Sequence, residues 1–197
     1  YRLDAAHPPP LVPRERVHEV RERCGPEGVV TPLDPASLGA TVEAVRADGS
    51  AAVAVGLLFS FAHPGHERAV AEALRAALPG VHVSASSEVL PEIREYERIS
   101  TTVVDAYLTP VLRTYLGRLA GRAREAGLPA PAIMQSSGGV LPIERSADHA
   151  AWTVLSGPAG GVIGAARLAA REERRLALTF DMGGTSCDVA LVRDGAP

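Results

Sequence analysis

Neither lysine nor asparagine occurs in this chain; all 20 basic side chains are Arg. Without Lys the segment can carry no Walker A phosphate loop, no Schiff-base lysine and no kinase-type strand lysine. Without Asn it has no N-glycosylation acceptor. Cysteine is almost as scarce. Cys24 and Cys187 stand far apart, with neither a disulfide framework nor a metal-ligand spacing between them, so a cytoplasmic location is the expectation. Long apolar runs are missing as well: the longest, residues 51–59, is too short to span a bilayer. The net charge of −3 offers no basic field, so neither nucleic acid nor an anionic membrane surface is an expected partner. What is present is ordinary for a globular protein: 46 % apolar and 22 % charged residues in 197, enough to bury a sizeable core. The chain starts at Tyr1 without Met and stops soon after an apolar run, which reads as a segment of a longer protein.

Periodicity gives an α/β organisation. Residues 1–35 are Pro-rich and read as an extended lead-in, with short strands near residues 17–20 and 29–30. Asp34-Pro35 opens a helix that Asp48-Gly49 closes, with Leu38, Val42 and Val45 on one face. Residues 51–59 form a continuous apolar strand of the kind buried in a parallel sheet. Pro64 begins a second helix with Val70, Leu74 and Leu78, and residues 81–85 form the next strand, completing a βαβ unit. A long helix is predicted over residues 99–126, with Val104, Leu108, Val111, Tyr115 and Leu119 as its core stripe and Pro110 as a kink. A strand (129–135), a Ser-Ser-Gly-Gly loop, an irregular stretch, a small-residue helix and a hairpin complete the chain.

The hairpin carries the most chemistry. Thr179-Phe180-Asp181-Met182-Gly183-Gly184-Thr185-Ser186-Cys187-Asp188 runs from a buried strand through a turn into a second strand. Glycines let backbone N–H groups approach a ligand closely, and consecutive N–H groups in a turn make an anion-binding concavity. Asp181 and Asp188 would repel bare phosphate but suit a phosphate carrying Mg²⁺, a hard cation that takes oxygen ligands. The pattern therefore reads as a magnesium-nucleotide clamp. An ordinary Gly-Gly hairpin turn is the competing reading. Upstream, Ser156-Gly157-Pro158-Ala159-Gly160-Gly161 has the signature of a helix start followed by residues small enough for close backbone packing.

Together these blocks closely resemble the hydantoinase A/5-oxoprolinase family. So do residues 87–98, which contain Pro91-Glu92-Ile93-Arg94-Glu95-Tyr96-Glu97-Arg98, and Gln135-Ser136 with Gly138-Gly139. The resemblance implies an actin-like (ribonuclease-H-like) ATPase fold, present as a fragment with mixed and parallel sheets and flanking helices. It implies that residues 1–150 belong to the family's N-terminal region. Residues 151–197 would then supply a connecting helix and the second phosphate-loop hairpin, which begin the hydantoinase A domain. It implies ATP and Mg²⁺ as cofactors, a small cyclic amide (a hydantoin or 5-oxoproline) as substrate, phosphorylation of the lactam oxygen, a second hydantoinase B-type subunit or domain, and an oligomer. Carried over residue by residue, Asp181 would act in catalysis and hold the metal, and Asp188 would brace the loop or contact the metal. Gly183, Gly184, Thr185 and Ser186 would grip phosphate, and Gly157, Gly160 and Gly161 would pack beneath it. The family's earlier phosphate loop and later adenosine loop have no counterpart here, so the segment alone is expected to be inactive. Two alternatives stay open: a subunit of an ATP-dependent ketone carboxylase, and a non-catalytic nucleotide-binding regulatory module.

Other candidates read more plainly. The charge run containing Glu92, Arg94, Glu95 and Arg98 is expected to be a solvated helix start, with a substrate-facing patch as the alternative. Cys187 departs from the Thr common in the family and reads as an inert buried strand residue rather than a nucleophile. His63 and His66 are a possible metal pair without an evident third ligand. Trp152 reads as core.

Overall fold

The computed structural model describes residues 9–196; the opening of the Pro-rich lead-in lies outside them. The chain forms two compact units, one up to Pro110 and one from Val111.

In the first unit, β1 (Arg23–Gly25) and β2 (Gly28–Thr31) make a small antiparallel hairpin. Residues 17–20, expected to be a strand, lie outside any strand. α1 (Pro35–Asp48) starts where the sequence puts it: the Asp34 carboxylate accepts from the Ala36 N–H at 2.9 Å, and Gly49 ends the helix in the left-handed region at φ 62°. β3 (Ala52–Val55), α2 (Gly65–Ala77) and β4 (His82–Ala85) form the βαβ unit, with β3 and β4 parallel in register from Ala52↔His82 to Val55↔Ala85. The predicted strand over 51–59 is shorter than expected, because residues 58–62 leave it as turns. The core is aliphatic: Val42, Val45, Val55, Val70, Ala71, Leu74, Leu78, Val83 and Ala85 pack together. Leu74 is 2 % exposed, and burying such a side chain contributes about 1.5–3 kcal/mol.

A one-turn helix α3 (Ser86–Val89) follows β4, and α4 (Glu95–Glu125) continues across Pro110. Its inward face differs from the predicted stripe. Val104, Val111 and Tyr115 are exposed, whereas Arg98, Thr102, Asp105 and Thr109 are fully buried. Apolar spacing misses this face because its polar atoms are bonded internally. Thr102 and Thr109 hydroxyls donate to the carbonyls of Arg98 and Asp105, and the Ser84 hydroxyl donates to Asp105 at 2.7 Å.

In the second unit, β5 (Ala132–Met134) pairs antiparallel with β6 (Val140–Pro142), α5 (Ile143–Ser146) is a single turn, and α6 (Ser156–Arg171) precedes the hairpin of β7 (Leu176–Met182) and β8 (Cys187–Arg193). α6 packs on one face of this hairpin and also meets β5. The other face is bare. Leu176, Leu178, Phe180 and Met182 alternate outward along β7, each more than 60 % exposed, so the strand expected to be buried is covered on one side only. The whole is a mixed α/β structure of small sheets and flanking helices, consistent with an actin-like ATPase fold.

Candidate functional site

Both strands of the β7–β8 hairpin feed one turn, residues 183–186, closed by the Gly183 N–H donating to the Ser186 carbonyl at 2.9 Å. The last ladder pairs are Asp181↔Asp188 and Met182↔Cys187. Two carboxylates thus stand directly opposite each other, an arrangement that destabilises a strand pair unless a cation lies between them. Among the described residues neither has a hydrogen-bond or ion-pair partner, whereas the base of the same hairpin is closed by Arg175 on Asp194 at 2.9 Å.

The glycines bear on the competing readings. A two-residue Gly-Gly hairpin turn needs left-handed backbone. Here the connection is four residues long, and neither Gly183 nor Gly184 is left-handed. A Cβ on Gly184 would meet nothing within 4 Å, and one on Gly183 would meet only the Ser186 carbonyl oxygen at 3.8 Å. The turn therefore does not itself require glycine. What glycine leaves there is bare, exposed backbone, with Thr185 and Ser186 exposed beside it.

Helix α6 brings some of the other expected residues to the same place. A Cβ on Gly161 would lie 3.7 Å from Asp181 Oδ2. Gly160 faces the Met134 side chain of β5 at 3.5 Å. Gly157, in the first turn, has open space around its Cβ direction. The helix starts without a side-chain cap, and Leu155 before it is left-handed at φ 59°, a strained conformation for a leucine. Of its first turn, Ser156 and Gly157 present N–H groups to an anion, since Pro158 has none and Ala159 bonds back to Leu155. Gly138 closes the β5–β6 loop at φ 87° against Ile163 of α6, and Ser136 is pinned to the Trp152 carbonyl through both its N–H and its hydroxyl, each at 2.8 Å. Trp152 is partly exposed and stacks on His149 with ring centroids 4.2 Å apart.

Three expectations need correction. Cys187 is exposed rather than buried, because it opens β8 beside the exposed turn. Arg98 is not solvated. It is 0 % exposed, donating from Nε to the Ser86 hydroxyl, from Nη1 to the Glu92 carbonyl and from Nη2 to the Leu57 carbonyl, with Phe61 under the guanidinium at 5.5 Å. Ser86 in turn donates to the equally buried Glu67, whose carboxylate also accepts the N–H groups of Leu57 and Ser87. The neighbouring Glu92, Arg94, Glu95 and Tyr96 are exposed, as expected of a helix start in water. His63 and His66 do not pair with each other: His63 Nε2 donates to the Pro26 carbonyl at 2.9 Å. His66 Nδ1 instead lies 2.8 Å from Glu22 Oε2 and 3.6 Å from Cys24 Sγ. Burial, and then the Glu22 carboxylate, push the Cys24 thiol above its usual range.

The family model described as "Hydantoinase/oxoprolinase" matches residues 98–197, and its N-terminal region model matches residues 1–78. The chain belongs to the hydantoinase/oxoprolinase family. It is 38 % identical to caprolactamase subunit alpha of Pseudomonas jessenii over 99 % of its own length and 29 % of that protein's. It is 41 % identical to 5-oxoprolinase 1 of Arabidopsis thaliana over 82 % of its own length and 13 % of that protein's. The crystal structure of the ATP-dependent caprolactamase superposes with a TM-score of 0.85 at 37 % identity, covering 97 % of this chain and 28 % of the other. A nucleotide-free acetone carboxylase, from work on ATP-dependent acetone carboxylation, superposes at 0.80 with 31 % identity, covering 96 % of this chain and 27 % of the other. The chain thus spans less than a third of the relatives it matches. The caprolactamase of known structure is ATP-dependent, the acetone carboxylase structure comes from ATP-dependent acetone carboxylation, and caprolactamase subunit alpha is by its name one subunit of an assembly. No helix among the described residues is long and apolar enough to cross a membrane.

Proposed function

We propose that the protein carrying this segment opens a cyclic amide at the expense of ATP, and that the β7–β8 turn holds the magnesium-bound phosphates. The observation that carries this reading is the opposed pair Asp181 and Asp188, unpartnered on either side of exposed backbone that does not need glycine for its own conformation. The donor set fits the metal: two hard carboxylates at a solvent-accessible turn suit Mg²⁺, which keeps several of its waters. A bound magnesium nucleotide supplies a phosphoryl group that activates the lactam oxygen, so that water can open a ring otherwise protected by amide resonance.

This chain's residues supply the holding and positioning. Asp181 holds the metal's water shell and orients the reacting groups, and Asp188 opposite it supplies the second carboxylate to the metal. Gly183, Gly184 and Thr185 present backbone N–H groups to the phosphates, with the Thr185 and Ser186 hydroxyls as further donors. Gly157, Gly160 and Gly161 keep the start of α6 slim, and its uncapped first turn adds N–H groups. The apolar face of Leu176, Leu178, Phe180 and Met182 is where the rest of the protein covers the hairpin. A second subunit or domain and oligomeric assembly belong to the same reading.

A ketone-carboxylase subunit is the second reading, favoured by the likeness to acetone carboxylase. ATP turnover by the full-length protein, measured with lactams and separately with ketone plus bicarbonate, distinguishes the two. Stimulation by a lactam, lost in Asp181→Asn, supports the proposal. Stimulation by ketone and bicarbonate alone replaces it with the second reading, and turnover indifferent to both substrates and to the substitution ends both.

A further inference from the structure

The first unit contains a cluster that the nucleotide chemistry does not use. Glu22 precedes β1 and Cys24 lies within it. Cys24 is buried and Glu22 partly buried, while Arg21 and Arg23 are exposed. His66, in the first turn of α2, meets them from the other side. One ligand atom from each of the three lies within 4.8 Å of the other two.

The geometry distinguishes two uses of a Cys, a His and a Glu. In a nucleophilic triad the base contacts the nucleophile through one ring nitrogen and the orienting carboxylate through the other. Here Sγ and the carboxylate oxygen both approach Nδ1, at 3.6 Å and 2.8 Å. Three donor atoms converging on one point is the arrangement of a metal centre.

We propose that Glu22, Cys24 and His66 bind a single zinc ion that ties the β1–β2 hairpin to the start of α2. The dimensions suit it. Tetrahedral zinc with Zn–S of about 2.3 Å and Zn–N of about 2.0 Å places S and N roughly 3.6 Å apart, the separation already present between Cys24 and His66. Glu22 would draw back from Nδ1 by about half an ångström to reach the O–N spacing of the same geometry. Charge suits it too: a thiolate and a carboxylate neutralise the dication, and a neutral pocket is what a 2 % exposed cysteine requires. Thiolate and imidazole select zinc over magnesium or calcium. Binding releases the Cys24 proton and moves the His66 N–H to Nε2. The His66 side chain is 16 % exposed, which leaves room for water at the fourth position.

The test uses the full-length protein, stripped with chelator under reducing conditions and titrated with Co²⁺, then with Zn²⁺. Wild type should show a thiolate-to-cobalt charge-transfer band and tetrahedral visible bands at one equivalent, and Zn²⁺ should displace them and raise the melting temperature. Cys24→Ser should lose the charge-transfer band and bind at least ~100-fold more weakly, beyond the ~10–100-fold cost of losing an outer partner. Glu22→Gln should weaken binding and keep the band, and Cys187→Ser should change neither. A wild-type protein without the thiolate band, or a band that survives Cys24→Ser, overturns the proposal. So does a melting temperature that Zn²⁺ moves equally in wild type and Cys24→Ser.

Discussion

Charged groups are placed in two opposite ways in this chain. In the first unit, Glu67 and Arg98 are fully buried and their polar atoms are answered: carboxylate to two backbone N–H groups and Ser86, guanidinium to Ser86 and two carbonyls. In the second unit, Asp181 and Asp188 are exposed, opposed and unanswered among the described residues. A satisfied network needs nothing from outside, and its work is to hold the ends of β3 and β4 against α4. An unsatisfied like-charge pair costs stability, and its residues make sense when something positive completes them. Saturation marks structure and deficit marks function, and the same residue types serve both.

The contrast breaks most readily at Arg98. Arg98→Ala takes the guanidinium away from the Ser86 hydroxyl and the Glu92 and Leu57 carbonyls and should cost about 3–5 kcal/mol in denaturant unfolding of the full-length protein, at about 1–3 kcal/mol for each buried group left without its donor. Loss of well under 1 kcal/mol would show that the network is not holding the unit together. Asp181→Asn should do the reverse. Its melting temperature should stay at or above wild type, while ATP turnover falls at least ~100-fold, as expected when a group acting on developing charge is removed. Gly184→Ala sharpens the reading of the turn. With open space and no left-handed backbone to satisfy, stability should move by no more than about 0.5 kcal/mol, while KM for ATP rises roughly tenfold, about 1.4 kcal/mol of lost phosphate contact. A stability loss without a KM change would restore the plain-turn explanation. Asp188→Asn has the smallest effect and the most telling sign. It should raise stability by about 0.2–1 kcal/mol by relieving the opposed charges, yet demand more magnesium for half-maximal turnover.

Legibility in the sequence follows the same division. α1 was readable to its caps because Asp34, Pro35 and Gly49 act locally, and the parallel β3–β4 pair was readable from its apolar runs. The hairpin was readable because Asp-Met-Gly-Gly-Thr is a local pattern. What escaped depends on distant partners. Nothing near Arg98 in sequence announces that Leu57, Phe61 and Ser86 will surround it, so it looked like one more solvated charge. The polar inward face of α4 defeats apolar periodicity for the same reason. Sequence spacing pairs His66 with His63; its partners Glu22 and Cys24 lie more than forty residues away, where spacing rules cannot reach. The exposure of Cys187 and of the outer face of β7 was missed because a strand pattern says which residues share a face and not whether anything covers it.

The most direct test is a crystal structure of the full-length protein with a non-hydrolysable ATP analogue and Mn²⁺ in place of Mg²⁺, located by its anomalous signal. Manganese is expected at Asp181 and Asp188, with the phosphates against the backbone of residues 183–186. Manganese and phosphates bound away from that turn would contradict it.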